Sequence, residues 1–146
     1  MLRTLVVDDE PLAVELMCGL LDAESGLEVV STARTGRQAL GAIRTHKPDL
    51  VFLDVEMPGL SGLDVVASLQ SDDQLPLIVF VSAFDKYAIE AFDVNAVDYI
   101  LKPVERGRLI AANAAVLRSR ALERAPADGR TCLRLDAAMH ARIRPA

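Results

Sequence analysis

The sequence predicts an α/β domain built on a doubly wound, five-stranded parallel sheet with helices on both faces. Five largely apolar runs carry this reading: Leu2 to Val7, Leu27 to Val30, Leu50 to Leu53, Leu77 to Val81 and Val97 to Leu101, with starts 20 to 27 residues apart. Each interval has room for one helix and two short loops, and such regular alternation builds a parallel sheet. The third and fourth runs are apolar throughout, as expected of central strands covered on both sides.

The intervals carry their own helix signals. Pro11 suits a first helical turn after acidic Asp9 and Glu10, and Ala13, Val14, Met17, Leu20 and Leu21 follow at helical spacing. Thr35 with Gln38 reads as a capping box ahead of Ala39, Leu40 and Ile43; Ser61 with Asp64 reads the same way ahead of Val65, Val66 and Leu69. Asp85 is expected to cap a fourth helix, Lys86 to Asn95, with Ala88, Ile89 and Phe92 as its inward stripe. A fifth helix is expected from about Glu105 to Glu123, with Leu109, Ala112 and Val116 on one face, ended by Pro126 and Asp128-Gly129.

Length and composition bound the rest. The 146 residues suit one domain, 1–124, followed by 125–146 as a linker or the truncated start of an output domain. The longest unbroken apolar run is five residues, far short of the roughly 20 needed to cross a bilayer, and the acidic start is no signal peptide. A cytoplasmic protein with no membrane contact is expected. Cys18 and Cys132 have no metal-ligand spacing and read as reduced thiols, and His46 and His140 read as exposed. Residues 1–103 hold 7 Lys+Arg against 17 Asp+Glu, whereas 104–146 hold 9 Arg against 4 acids. Without a Lys/Arg block or interleaved aromatics, that basic end reads as a solvated helix balancing an acidic body, not as a nucleic-acid surface.

Chemistry gathers where the strands end. The first ends in Asp8-Asp9-Glu10, the third in Asp54, the fourth in Ser82 and the fifth in Lys102-Pro103. In an open α/β sheet these carboxyl ends line the ligand crevice. Two carboxylates about 4 Å apart repel by roughly 4 kcal/mol at an effective dielectric near 20, so three of them invite a divalent cation. Oxygen ligands without His or Cys favour Mg²⁺, which shares its coordination sphere with phosphate. Asp54 can then attack phosphorus in line, with the cation, Lys102 and the Ser82 hydroxyl stabilising the equatorial oxygens.

These residues carry a resemblance. Val6-Val7-Asp8-Asp9-Glu10-Pro11, Leu53-Asp54-Val55-Glu56-Met57-Pro58-Gly59, Ser82-Ala83 and Tyr99-Ile100-Leu101-Lys102-Pro103 stand at the order and spacing of a bacterial two-component response regulator's receiver domain. Any one of these motifs is weak, but the four together are specific, and the chain resembles that family over residues 1 to about 122. The resemblance implies a flavodoxin-like (βα)5 fold with strand order 2-1-3-4-5. It implies Asp54 as phosphoacceptor from a sensor histidine kinase, and a Mg²⁺ held by Asp9, Asp54, the backbone carbonyl of Glu56 and, through water, Asp8. Lys102 would pair with phosphate, its bond to Pro103 being cis. Ser82 and Tyr99 would form a switch pair: the hydroxyl moves to the phosphoryl group, the ring turns inward, and the surface of helix 4, strand 5 and helix 5 responds. Such a protein is a switch that catalyses its own phosphorylation and slow dephosphorylation, not an enzyme with an external product.

Two choices stand out within that pattern. Serine replaces the commoner threonine at 82, and Glu56 adds an anion at the pocket's mouth, where it can repel or orient water. Phe84 to Ile100 is similar to receivers that precede a LytTR-type DNA-binding domain, which suggests transcriptional output through a domain absent from these residues. Lys86, Glu90 and Asp93 with Asp98, Arg106 and Arg118 offer cross-subunit ion pairs for a homodimer. A stand-alone receiver working through protein contacts is the alternative. A haloacid-dehalogenase-like phosphatase would need Asp-x-Asp on its first strand, and a flavin binder would need a Ser/Thr/Gly-rich loop where Asp8-Asp9-Glu10-Pro11 stands.

Overall fold

The computed structural model describes residues 1–70 and 75–124. Its elements alternate strictly: β1 Leu2–Val7, α1 Pro11–Asp22, β2 Leu27–Ala33, α2 Gly36–His46, β3 Leu50–Asp54, α3 Gly62–Leu69, β4 Leu77–Ser82, α4 Ala88–Asp93, β5 Asp98–Leu101 and α5 Arg106–Arg124. The strands form one sheet, every pairing parallel, in the order β2-β1-β3-β4-β5. This is the flavodoxin-like topology that the resemblance implied.

Successive side chains of a strand point to opposite faces, so each central strand feeds two cores. Leu5, Val51, Leu53 and Phe80 pack with Ala39 and Ile43 of α2, Val65 and Leu69 of α3 and Ala91 of α4. On the other face Val6, Leu50, Phe52, Val79 and Val81 pack with Met17 and Leu21 of α1 and with Leu109, Ala112 and Val116 of α5. All five residues of β3 are buried, which is why its sequence shows no alternation.

The helix starts follow the sequence at α1 and α3, in part at α2, and depart from it at α4. Pro11 occupies the first turn of α1. The box at Ser61 is complete: its hydroxyl accepts from Asp64 N at 3.1 Å, and Asp64 accepts from Ser61 N at 3.0 Å. At Thr35 the box is half formed, because Gln38 Oε1 accepts from Arg34 N instead. Helix α4 does not begin at Lys86 under an Asp85 cap. It runs only from Ala88 to Asp93, with Tyr87 at the N-cap and no side-chain capping bond, and Asp85 contributes its backbone carbonyl to Ala88 N at 3.1 Å. Of the expected inward stripe, Ala88 and Phe92 pack against the core beside the buried Ala91, while Ile89 is 74% exposed. The segment Lys86-Tyr87 is drawn towards Glu56 instead, as described below.

Two contacts pin strands to helices, one at the carboxyl end of β3 and one at the amino end of β5. Gly62, the first residue of α3, lies so close to β3 that a Cβ built on it would fall 2.3 Å from the Asp54 carbonyl oxygen. Asp98, fully buried at the start of β5, receives both arms of Arg108 from α5 at 2.7 and 2.8 Å, and Arg108 also donates to the Tyr99 carbonyl at 2.8 Å. Asp98 is therefore not the surface partner that a cross-subunit ion pair needs. Among the smaller expectations, His46 is half-buried and Cys18 is a free, half-buried thiol. Cys132, His140, the helix stop at Pro126 and the linker at 125–146 lie outside the described residues.

Candidate functional site

The parallel register brings the strand ends together. Val7 sits beside Leu53, Asp54 beside Val81, and Ser82 beside Leu101, so the residues that follow emerge on one edge. Asp8, Asp9 and Asp54 each place a carboxylate oxygen within 4.8 Å of the others. Asp8 and Asp54 are only 6% and 5% exposed. Lys102 reaches across from the far strand, its Nζ 2.7 Å from Asp8 Oδ2 and 3.6 Å from Asp54 Oδ2. The Lys102-Pro103 peptide bond is cis.

The electrostatics follow from this crowding. Burial, then the charge of Asp8, push the Asp54 carboxyl up to about 7; Lys102 opposes that rise and Asp9 adds to it. For Lys102, burial penalises the ammonium, but the hydrogen bond to Asp8 and the charges of Asp54 and Asp8 outweigh it and hold its pKa above the ordinary value. One lysine thus faces three carboxylates, and the donor set is all oxygen. Such a cluster of oxygen donors suits a hard divalent cation.

Ser82 and Tyr99 meet at a residue the sequence did not single out, Phe84. The fully buried Ser82 hydroxyl accepts from Phe84 N at 3.1 Å, and the Tyr99 hydroxyl donates to the Phe84 carbonyl. Tyr99 is buried, its ring tilted against Phe80 at 6.4 Å between centroids, and that burial pushes its phenol upward. Its ring already lies inward. Glu56, expected to contribute its carbonyl, directs its side chain to Lys86 and Tyr87. No sequence pattern announces these contacts, because Lys86 and Tyr87 read locally as the start of a helix and Phe84 as the residue ahead of its cap.

The profile of response regulator receiver domains matches residues 4–114. This chain is a receiver domain of that family. Receivers of this family are the phosphoacceptor switches of two-component signalling. This chain is 46% identical over 109 residues to the transcriptional regulatory protein BtsR of Salmonella typhi, and 44% identical to BtsR of Escherichia coli K12, covering 75% of this chain and 45% of each relative. The chain therefore spans about half the length of the curated relatives it matches. Among solved structures, the response regulatory domain of mrkE from Klebsiella pneumoniae superimposes with a TM-score of 0.74 at 32% identity, covering 80% of this chain and 96% of that one. The REC domain of AraT from Geobacillus stearothermophilus gives a TM-score of 0.75 at 28% identity, over 85% of this chain and 98% of that one. Among the described residues, no helix of the receiver is long and apolar enough to cross a membrane.

Proposed function

We propose that Asp54 accepts a phosphoryl group from a phosphohistidine on a sensor histidine kinase. The observation that carries this is the cluster of three carboxylates with Lys102 bonded to one of them and 3.6 Å from Asp54. An Oδ atom of Asp54 attacks phosphorus in line, the phosphorus–nitrogen bond of the donor breaks, and its electron pair leaves with the imidazole. Lys102 exchanges part of its contact with Asp8 for the incoming phosphoryl oxygens. Asp9, Asp54 and the Glu56 carbonyl would hold Mg²⁺ directly and Asp8 through water; the ion supplies charge neutralisation between carboxylates and phosphate. Ser82 would turn from Phe84 N to the phosphoryl group, releasing one of the two bonds that fix Phe84 and so linking the site to Tyr99. The kinase domain must dock beside Asp54, and the groove of about 550 Å³ next to Asp8 and Lys102, bordered by Leu12, Leu16 and Pro103, offers apolar surface for it.

The test is incubation with Mg²⁺ and a small phosphodonor, followed by intact-mass measurement. Wild type is expected to gain one phosphoryl group, about 80 Da, and Asp54→Asn none. Absence of any gain in wild type with donor or cognate kinase refutes the proposal.

The output reading is transcriptional, through a DNA-binding domain that would follow 125–146 as linker, because the relatives, of which the matched stretch is 45%, are named transcriptional regulators. The receiver would act from the cytoplasm and pair as a homodimer through α4, β5 and α5. Exposed Ile89, Leu101, Ile110 and Leu117 on those elements supply apolar contact that ion pairs alone would not. Sedimentation velocity is expected to show a larger species with beryllofluoride than without; equal coefficients would sink the dimer.

A further inference from the structure

The Glu56 side chain, two residues beyond Asp54, is tied to the loop between β4 and α4. The Tyr87 hydroxyl donates to Glu56 Oε1, and Lys86 Nζ lies 3.8 Å from the same oxygen. Lys86 is itself held over two rings, 5.2 Å from the centroid of Phe84 and 5.1 Å from that of Tyr87, and those rings meet edge to face at 6.5 Å. Asp8, Lys102 and Asp9 are the charged neighbours that act most on Asp54. The Glu56 carboxylate is engaged by Tyr87 and Lys86, in the loop ahead of α4.

We propose that Tyr87 and Lys86 are positioning residues that hold the Glu56 carboxylate away from the mouth of the site and so lengthen the life of the phosphoryl group on Asp54. This inference rests on Asp54 being the phosphoacceptor. In hydrolysis a water oxygen bonds to phosphorus and the bond between phosphorus and Asp54 Oδ breaks. The electron pair returns to the carboxylate, and the water's hydrogens leave with inorganic phosphate. That water must first be oriented in line. A carboxylate free to swing two residues from the acceptor accepts a hydrogen bond from it, and charge-assisted bonds are the strong ones. Tied back, Glu56 accepts from Tyr87 and pairs with the Lys86 charge instead. The tie also accounts for the late start of α4: Lys86 and Tyr87 face Glu56 instead of entering the helix.

The side chains of Glu56 and Lys86 are 44% and 63% exposed, so releasing the tie is worth a modest factor, about fivefold in lifetime. Wild type, Tyr87→Phe, Glu56→Ala and the double variant are charged with Mg²⁺ and acetyl phosphate and freed of donor. Loss of the adduct of about 80 Da is then followed by intact mass. Tyr87→Phe keeps the ring beneath Lys86 and removes only the hydroxyl. Its adduct is expected to decay about fivefold faster than that of wild type, and the same change is expected to do nothing in the Glu56→Ala background. An unchanged or longer lifetime in Tyr87→Phe overturns the proposal. Equal shortening in both backgrounds overturns it too, because the hydroxyl would then act through something other than Glu56. If no protein, wild type included, takes up the group, the phosphoacceptor reading falls and this inference falls with it.

Discussion

Gly62→Ala is expected to destabilise the receiver by about 3 kcal/mol or more, as urea unfolding would show. The added Cβ would meet the Asp54 carbonyl oxygen at 2.3 Å, and the Asp54 carbonyl carbon and Val55 Cα at 3.1 Å. All three are backbone atoms, so no side-chain rotation relieves the clash. Either α3 moves off the sheet or β3 shifts at its carboxyl end, and Gly62 N already anchors the pair through a bond to the Val55 carbonyl at 2.8 Å. Because the displaced backbone carries Asp54, phosphoryl uptake by the folded fraction is expected to fall as well, since misplacing a reacting group by about 1 Å can cost about 100-fold. Gly19 is the control. It lies in α1 with nothing within 4 Å of its virtual Cβ, so Gly19→Ala is expected to stabilise by about 0.5–1 kcal/mol through helix propensity. Equal effects at the two positions would refute the packing argument.

Arg108→Ala is expected to cost about 3–5 kcal/mol, because it removes both guanidinium bonds from the fully buried Asp98 carboxylate. The cost lies in the charge left behind more than in the bonds lost. Replacing both partners, Asp98→Asn with Arg108→Leu, is therefore expected to recover much of the loss; a double variant no better than Arg108→Ala would contradict this account. Arg108 also holds the Tyr99 carbonyl, and Asp98 Oδ1 accepts from Tyr99 N at 2.8 Å. Faster amide exchange at Tyr99 in the single variant is expected to accompany the loss of stability. The clamp thus sets the backbone of the residue whose hydroxyl reaches Phe84.

The proposed switch and the tie at Glu56 converge on Phe84. Its N–H is held by Ser82, its carbonyl by Tyr99, and its ring by Lys86 and Tyr87. A hydroxyl drawn to a phosphoryl group would free the first of these three restraints. Movement at Asp54 would then reach both β5 and α4 through a single residue.

Much of the fold was legible because its signals are local. Largely apolar strand runs of four to six residues, Pro11 in a first turn and the Ser61-Asp64 box depend on neighbours within a few positions. Asp8, Asp9, Asp54 and Lys102 were legible for a related reason: each stands at the end of a strand or within two residues of it, and parallel strands end on the same edge. The misread start of α4 shows where this stops. Asp85 has the right chemistry for a cap, but Lys86 and Tyr87 find partners in Glu56, some 30 residues upstream, and local propensity loses to them.

The alternation of elements, the acidic edge and the family pattern can be read from the chain alone, since periodicity and strand-end chemistry are written residue by residue. Tertiary structure alone decided which long-range partner each polar group took. Lys102 bonds to Asp8, 94 positions away, Arg108 buries Asp98 from surface pairing, and Glu56 faces Tyr87 and Lys86. Each choice depends on where packed elements place competing donors and acceptors, and helix and strand spacing carry no record of that.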